Sequence, residues 1–229
     1  VEVSGPKNKI NKLSPIEKLE IVLFILRKIS EQAKTNTSEF KGTKLFNTKM
    51  LKDVFRDKIV KIDKDKIAED IKPLNLAEKD WFAQTDFYGT SEEEHFLEFI
   101  DGFIENLKRK YSDIVILRNE KFFQIFDFDE GRPFEPDFLM LLRTKKHKIL
   151  IYQVFIEPKG DQFKDNKGRF ESSKEGWKQK FLLEIENKAE FSEDLAIRMQ
   201  NKHFKLFGLP FYNESLKKEF QEVLEKIFL

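Results

Sequence analysis

The sequence has no cysteine, which excludes disulfides, thiolate-held zinc and cysteine nucleophiles together. Histidine is almost as scarce. His95, His147 and His203 stand far apart with no i, i+4 pair, so a histidine-based metal site has no pattern to rest on, and each reads as a surface or helix-face residue. No GxxxxGK[ST] loop is present, because Lys41-Gly42-Thr43 lacks the upstream glycine and the required order. ATP binding in a P-loop is therefore excluded. The absence of a GxSxG elbow and of a GxGxxG turn disfavours serine-hydrolase and dinucleotide-dependent chemistry. The longest apolar run, Ile21 to Leu26, is six residues and ends at Arg27-Lys28, against the roughly 20 needed to span a bilayer. With no signal-peptide pattern at the start, the expectation is a soluble, cytoplasmic protein with no membrane partner.

What the chain does have is charge and phenylalanine. Charged residues make up 36% of the 229, against about 25% usually. The 42 Lys+Arg and 41 Asp+Glu nearly cancel, leaving a net charge of +1. An acidic tail or a polycation is thus ruled out, and any nucleic-acid contact must come from local patches. The balance also hides a division. Residues 81–140 hold 14 acidic and 6 basic residues, whereas residues 141–180 hold 5 acidic and 11 basic. A 40% apolar share with 25 Phe is enough for a real core, in one large domain or one ordinary domain with an appendage.

Periodicity divides the chain into a disordered lead-in at 1–13, a mainly helical extension or linker at 14–80 and a main domain at 81–229. Ser14-Pro15-Ile16-Glu17 reads as a capping box opening a helix over 14–33, with Ile16, Leu19, Val22, Leu23, Leu26 and Ile29 at helical spacing. A short strand near 43–46 and helices near 48–57 and 64–70 follow. Ser91, with Glu92 to Glu94 behind it, caps a helix reaching Tyr111. Strands are predicted at 113–117, 122–128, 136–142 and 148–157, then a helix at 173–188, a strand at 204–207 and a final helix at 214–228. The nearly continuous apolar run from Ile149 to Ile156 reads as a central strand covered on both faces.

Asp137 stands beside Phe138-Leu-Met-Leu-Leu142, and Glu157 and Lys159 end the most apolar strand. Ionised groups there are costly unless paired or metal-bound. Glu157 and Lys159, two apart, share one strand face. A hairpin centred near 145–147 brings Asp137 opposite residues near 153–157, although a one-residue slip would turn the set away. Two carboxylates with a lysine beside them suit phosphodiester hydrolysis with a divalent cation, Mg²⁺ above all.

Pro136-Asp137, nineteen intervening residues and Glu157-x-Lys159 resemble the PD-(D/E)XK nuclease motif. The stretches Asp80-Trp81-Phe82, Phe87 to Glu93 and Glu157-Pro158-Lys159-Gly160-Asp161 resemble more specifically the C-terminal endonuclease region of type III restriction enzyme Res subunits and related helicase-nucleases. The resemblance covers roughly residues 80–208. It implies a mixed α/β, restriction-endonuclease-like αβββαβ core with an N-terminal helical extension. It also implies Mg²⁺-dependent cleavage of DNA, with a fused or associated helicase/ATPase motor and a modification subunit as partners. Under it, Asp137 and Glu157 bind Mg²⁺, the Pro158 carbonyl adds a ligand, Lys159 serves the attacking water, and Glu93 is the glutamate contributed by the helix before the strands. Gln153, Lys178 and Gln179 become secondary contacts. Phosphate contacts are expected from loop 160–174 and neighbouring lysines, namely Lys164, Lys167, Arg169, Lys174 and Lys178. Pro158 departs from the pattern, since it removes a backbone donor, and the strand must bulge or end there.

Several features have plainer readings. Glu92 to Glu94 suit any helix N-terminus, Lys108-Arg109-Lys110 suit a solvated helix end, Arg143 to Lys148 suit a hairpin turn, and Trp177 with the many Phe suits a core. A nuclease-fold module that binds DNA or a partner subunit without catalysis is the alternative function. Residues 14–75 could separately serve as a docking piece for subunit contact.

Overall fold

The computed structural model describes residues 13–36, 42–46, 51–55, 74–145, 149–191 and 202–229, in two units, 1–41 and 42–229. The lead-in and the predicted helix at 64–70 lie outside the described residues. In the first unit, helix α1 (Pro15–Asn36) begins with the predicted capping box: Ser14 N–H donates to Glu17 Oε2 at 2.8 Å and Glu17 N–H to Ser14 Oγ at 3.3 Å. Leu19, Leu23, Phe24 and Leu26 of this helix are exposed.

The second unit opens with short pieces, β1 (Leu45–Phe46), α2 (Leu51–Val54), β2 (Leu74–Asn75) and β3 (Asp86–Phe87). Regular structure then follows in the order α3 (Ser91–Lys110), β4 (Tyr111–Arg118), β5 (Ile125–Phe126), β6 (Pro133–Phe134), β7 (Phe138–Thr144) and β8 (Ile149–Ile156). The chain closes with α4 (Gly176–Lys188), β9 (Glu190–Phe191), β10 (Lys202–Gly208) and α5 (Lys217–Phe228). Among the described residues no helix is long and apolar enough to cross a membrane.

The four long strands form one mixed sheet in the order β10-β8-β7-β4, with β8 parallel to β10 and the other neighbours antiparallel. β8 lies inside the sheet, as its continuous apolar run predicts. Alternation sends Phe138, Met140, Leu142, Val154, Ile156 and Phe207 to one face, where Phe96, Ile100 and Leu107 of α3 and Phe220, Leu224 and Phe228 of α5 cover them. Leu139, Phe155 and Leu206 face the other way, against Phe181, Leu182 and Ile185 of α4. The phenylalanines bind the layers on both sides, with ring centroids 5.1 Å apart for Phe96–Phe138 and for Phe128–Phe181.

Two expectations change. The cap of α3 is Thr90, not Ser91: the Thr90 hydroxyl accepts the Glu93 N–H at 3.4 Å while Glu93 Oε2 accepts the Thr90 N–H at 2.7 Å. The predicted strand at 122–128 is not in the main sheet. Only Ile125–Phe126 is extended, paired with Pro133–Phe134 in a separate ribbon. The cause is local. Lys121 takes a left-handed φ of 61°, and the Asn119 side chain accepts the N–H groups of Phe122 and Phe123 at 2.9 and 3.2 Å. Backbone donors that a sheet neighbour would use are thus taken by one amide.

β10 and α4 approach closely at Gly208, where a Cβ would lie 2.3 Å from the Leu182 carbonyl oxygen. Gly208→Ala must push the helix off the sheet and should lower stability by about 1–3 kcal/mol, read as a shifted denaturation midpoint; an unchanged midpoint would refute this packing.

Candidate active site at the strand ends

Register builds the site. Phe138 faces Ile156, so the next position outward sets Asp137 beside Glu157, and opposed residues of an antiparallel pair share a face. The Asp137 N–H donates to Glu157 Oε2 at 2.9 Å. Lys159, two residues on, returns to the same face and sets its ammonium 2.7 Å from Glu157 Oε1. Glu157 is only 2% exposed, and each of its carboxylate oxygens is held.

Pro158 fits this geometry. β8 ends at Ile156, and Pro158 forms an isolated parallel bridge with Tyr212. The bridge runs through its neighbours: Tyr212 N–H donates to the Glu157 carbonyl at 3.1 Å, and Lys159 N–H donates to the Tyr212 carbonyl at 2.8 Å. The missing proline N–H therefore removes no bond to Tyr212. The Pro158 carbonyl takes no part in the bridge, which uses the backbone groups of Glu157 and Lys159.

Burial dominates the electrostatics. It pushes the Asp137 carboxyl up to about 8, with the charges of Glu157 and Glu93 adding to the rise and Lys159 opposing it. Burial raises Glu157 as well, against the pull of Lys159, the Asp137 N–H and the charge of Lys178. Burial alone would lower Lys159, but the carboxylates of Glu157, Asp137 and Glu175 outweigh it and its value rises. Burial thus favours a proton on this pair of carboxyls, and the Lys159 ammonium lies against Glu157.

Glu93 sits apart from this trio. One of its oxygens caps α3, and the other accepts Arg118 Nη2 at 2.9 Å. Arg118 also donates to the Tyr88 carbonyl at 2.6 Å and lies over the Phe87 ring at 4.7 Å. Sequence reading passed over Arg118; the signal was a basic residue ending the strand that pairs with Phe138, next to Asp137. Glu175, just before α4, was also passed over. Its carboxylate lies 3.9 Å from the Lys159 ammonium and pairs with Lys178. Its signal was weak, because Asp161, Asp165 and Glu171 also stand among the basic residues of the stretch that leads into α4.

The remaining expected residues divide by their surroundings. Gln153 lies on β8 on the same face as Glu157, between Leu141 and Leu206 in register. Gln179 is buried, accepting the Phe211 N–H at 3.0 Å and donating to Glu171 at 3.3 Å. Lys167 and Arg169 are exposed on a turn whose N–H groups donate to Asp165. Lys174 lines a cavity of about 420 Å³ with Gln162, Asn166 and Ser172. Lys164 is drawn inward, onto Asp161, Asn213 and Ser215.

Among the described residues no group of three or more His, Asp or Glu side chains is gathered around a common metal position. Two adjacent carboxylates nonetheless fit Mg²⁺, which keeps several waters and commonly takes only one or two protein carboxylates.

A family model described as "HI_1054_C: C-terminal domain" matches residues 39–228. An uncharacterized protein of Haemophilus influenzae is 34% identical over 222 residues, which is 92% of this chain and 45% of that protein. The chain thus spans less than half the length of that relative. No solved structure matches the chain.

The raised Asp137 sets a pH dependence. Its folded-state value, about 8, lies above the ordinary unfolded value of about 3.9, so the folded state holds the extra proton between them. Stability should fall as pH rises through that window. Without divalent cations, Asp137→Asn should melt higher than wild type at pH 9 by at least about 3 °C, the order that ~1 kcal/mol gives at this size. At pH 4 the gap should close, and a variant no more stable at pH 9 would contradict the assignment.

Proposed function

The chain belongs to the HI_1054_C C-terminal domain family, and we propose that residues 81–229 are an Mg²⁺-dependent endonuclease domain hydrolysing DNA phosphodiester bonds. We further assign it to a type III restriction-like enzyme whose ATPase motor lies outside this chain, with a modification subunit as a further partner. The single observation that carries the reading is Asp137 set beside Glu157 at the strand ends, with Lys159 on the same face. The order α3-β4-β7-β8-α4-β10 supports it, being the αβββαβ order of restriction-endonuclease-like cores once the β5–β6 ribbon is read as an insertion.

Asp137, Glu157 and the Pro158 carbonyl would hold Mg²⁺, which supplies an acidified water and offsets charge on the reacting phosphate. The chain's own groups do the rest. The Lys159 ammonium, largely buried and over the Phe163 ring at 5.1 Å, orients the attacking water and stabilises developing negative charge. Glu93, fixed by Arg118, adds negative potential at Asp137 and strengthens the site's preference for a cation. Lys167, Arg169 and Lys174 offer phosphate contacts along loop 160–174, and Lys178 adds positive charge near Glu157. No base-reading element accompanies them among the described residues, and in this reading recognition rests on the DNA backbone.

One observation favours the non-catalytic module instead: both oxygens of Glu157 are already engaged, by Lys159 and by the Asp137 N–H. Cleavage assays and calorimetry separate the two. The endonuclease reading expects Mg²⁺- or Mn²⁺-dependent DNA cleavage, by the chain or by its parent enzyme with ATP. Asp137→Ala and Glu157→Ala should each lower it by at least about 100-fold, and Glu157→Ala should abolish the heat of metal binding. Undiminished cleavage by Asp137→Ala removes the assignment; wild type that neither binds metal nor cleaves points to the module.

A further inference from the structure

Lys159 is useful to a hydrolytic site only if its backbone is held still, and the structure holds both of its peptide groups from one short segment. Its N–H donates to the Tyr212 carbonyl at 2.8 Å, and its carbonyl accepts Asn213 Nδ2 at 2.8 Å. Asn213 is 1% exposed and uses its whole amide. Nδ2 also donates to Asp161 Oδ1 at 3.0 Å, while Oδ1 accepts the Ser215 N–H at 3.1 Å and the Lys164 ammonium at 2.9 Å. Lys164 spends its other two donors on Asp161 Oδ1 at 2.7 Å and Ser215 Oγ at 2.6 Å, with its side chain only 10% exposed. An ammonium so enclosed is not presented to a phosphate backbone.

We propose that Asn213, Lys164, Asp161 and Ser215 form a positioning clasp that fixes the backbone of Lys159, so that Lys164 serves the site from within rather than as a DNA contact. The proposal rests on the reading of Lys159 as the residue that serves the attacking water, and it assigns a role to residues outside the Asp137–Glu157–Lys159 trio. Burying a lysine costs free energy that only a fully satisfied network offsets, and this network ends on the Lys159 carbonyl. Geometric tolerance at a reacting centre is about 0.5 Å, so loosening that anchor acts on turnover.

Two variants of the full chain test it. Asn213→Asp keeps the Oδ1 acceptor but replaces the donor to the Lys159 carbonyl; Lys164→Met keeps the stem and removes the ammonium. In both, amide hydrogen exchange at Lys159 should quicken at least about tenfold, roughly one net hydrogen bond, while Val154 and Ile156 in β8 keep wild-type protection. kcat for Mg²⁺-dependent cleavage should fall at least about tenfold, as for one lost positioning bond, with KM and the salt dependence of DNA binding unchanged. Unchanged exchange at Lys159 in both variants overturns the clasp. A raised KM with a salt slope reduced by about 0.9 in Lys164→Met makes it a DNA contact instead. Wild type that neither binds metal nor cleaves DNA, as the chain or in its parent enzyme with ATP, defeats the reading of the site, while the exchange result still decides the clasp.

Discussion

The structure turns on a buried carboxylate. Glu157 lies just past the end of the interior strand β8, and its two oxygens are held by the Asp137 N–H on one side and the Lys159 ammonium on the other. An ion pair removed from water costs more in desolvation than its attraction returns unless further bonds complete it. Here the completing bonds come from three directions. The β7–β8 register supplies Asp137, the Tyr212 bridge sets the strand end, and the Asn213 network anchors Lys159. Removing any one of them leaves a charge poorly satisfied in a place with little water.

A second acid in the same place cannot also ionise freely. Asp137 has burial and the neighbouring charges of Glu157 and Glu93 against it, and Lys159 is shared among several carboxylates. Folding alone gains little from this cluster of acids. A fold selected only for stability would keep an amide or an apolar residue at Asp137, and a buried acid so perturbed is consistent with the proposed cation site. The helices conform to the same logic. α3 spends its first-turn glutamate on its own cap and on Arg118, and Glu175 before α4 keeps Lys178 close to the site.

Much of this was legible in the sequence wherever a local pattern carried it. The spacing of Asp137, Glu157 and Lys159 holds because strand periodicity and hairpin register are short-range rules, and the Ile149–Ile156 run marked the central strand by composition alone. The helices around Leu19, Ile100 and Leu182 followed from apolar spacing in the same way. What escaped depends on contacts between distant segments. Asn213 reaches the Lys159 carbonyl across 54 residues, and Arg118 meets Glu93 across 25, so neither has a neighbouring signal. Lys164 looked like part of a basic loop because sequence shows charge but not the direction in which the ammonium turns. The strand expected at 122–128 gave way to the Asn119 amide, a competition that propensity cannot weigh.

The central claim is that Asp137 and Glu157 converge on one cation position at the strand ends, and diffraction from crystals grown with Mn²⁺ addresses it most directly. The account predicts an anomalous peak about 2 Å from an oxygen of each carboxylate, with the Lys159 ammonium withdrawn from Glu157. Crystals with Mn²⁺ bound elsewhere, or not at all, and the Glu157–Lys159 pair intact would contradict it.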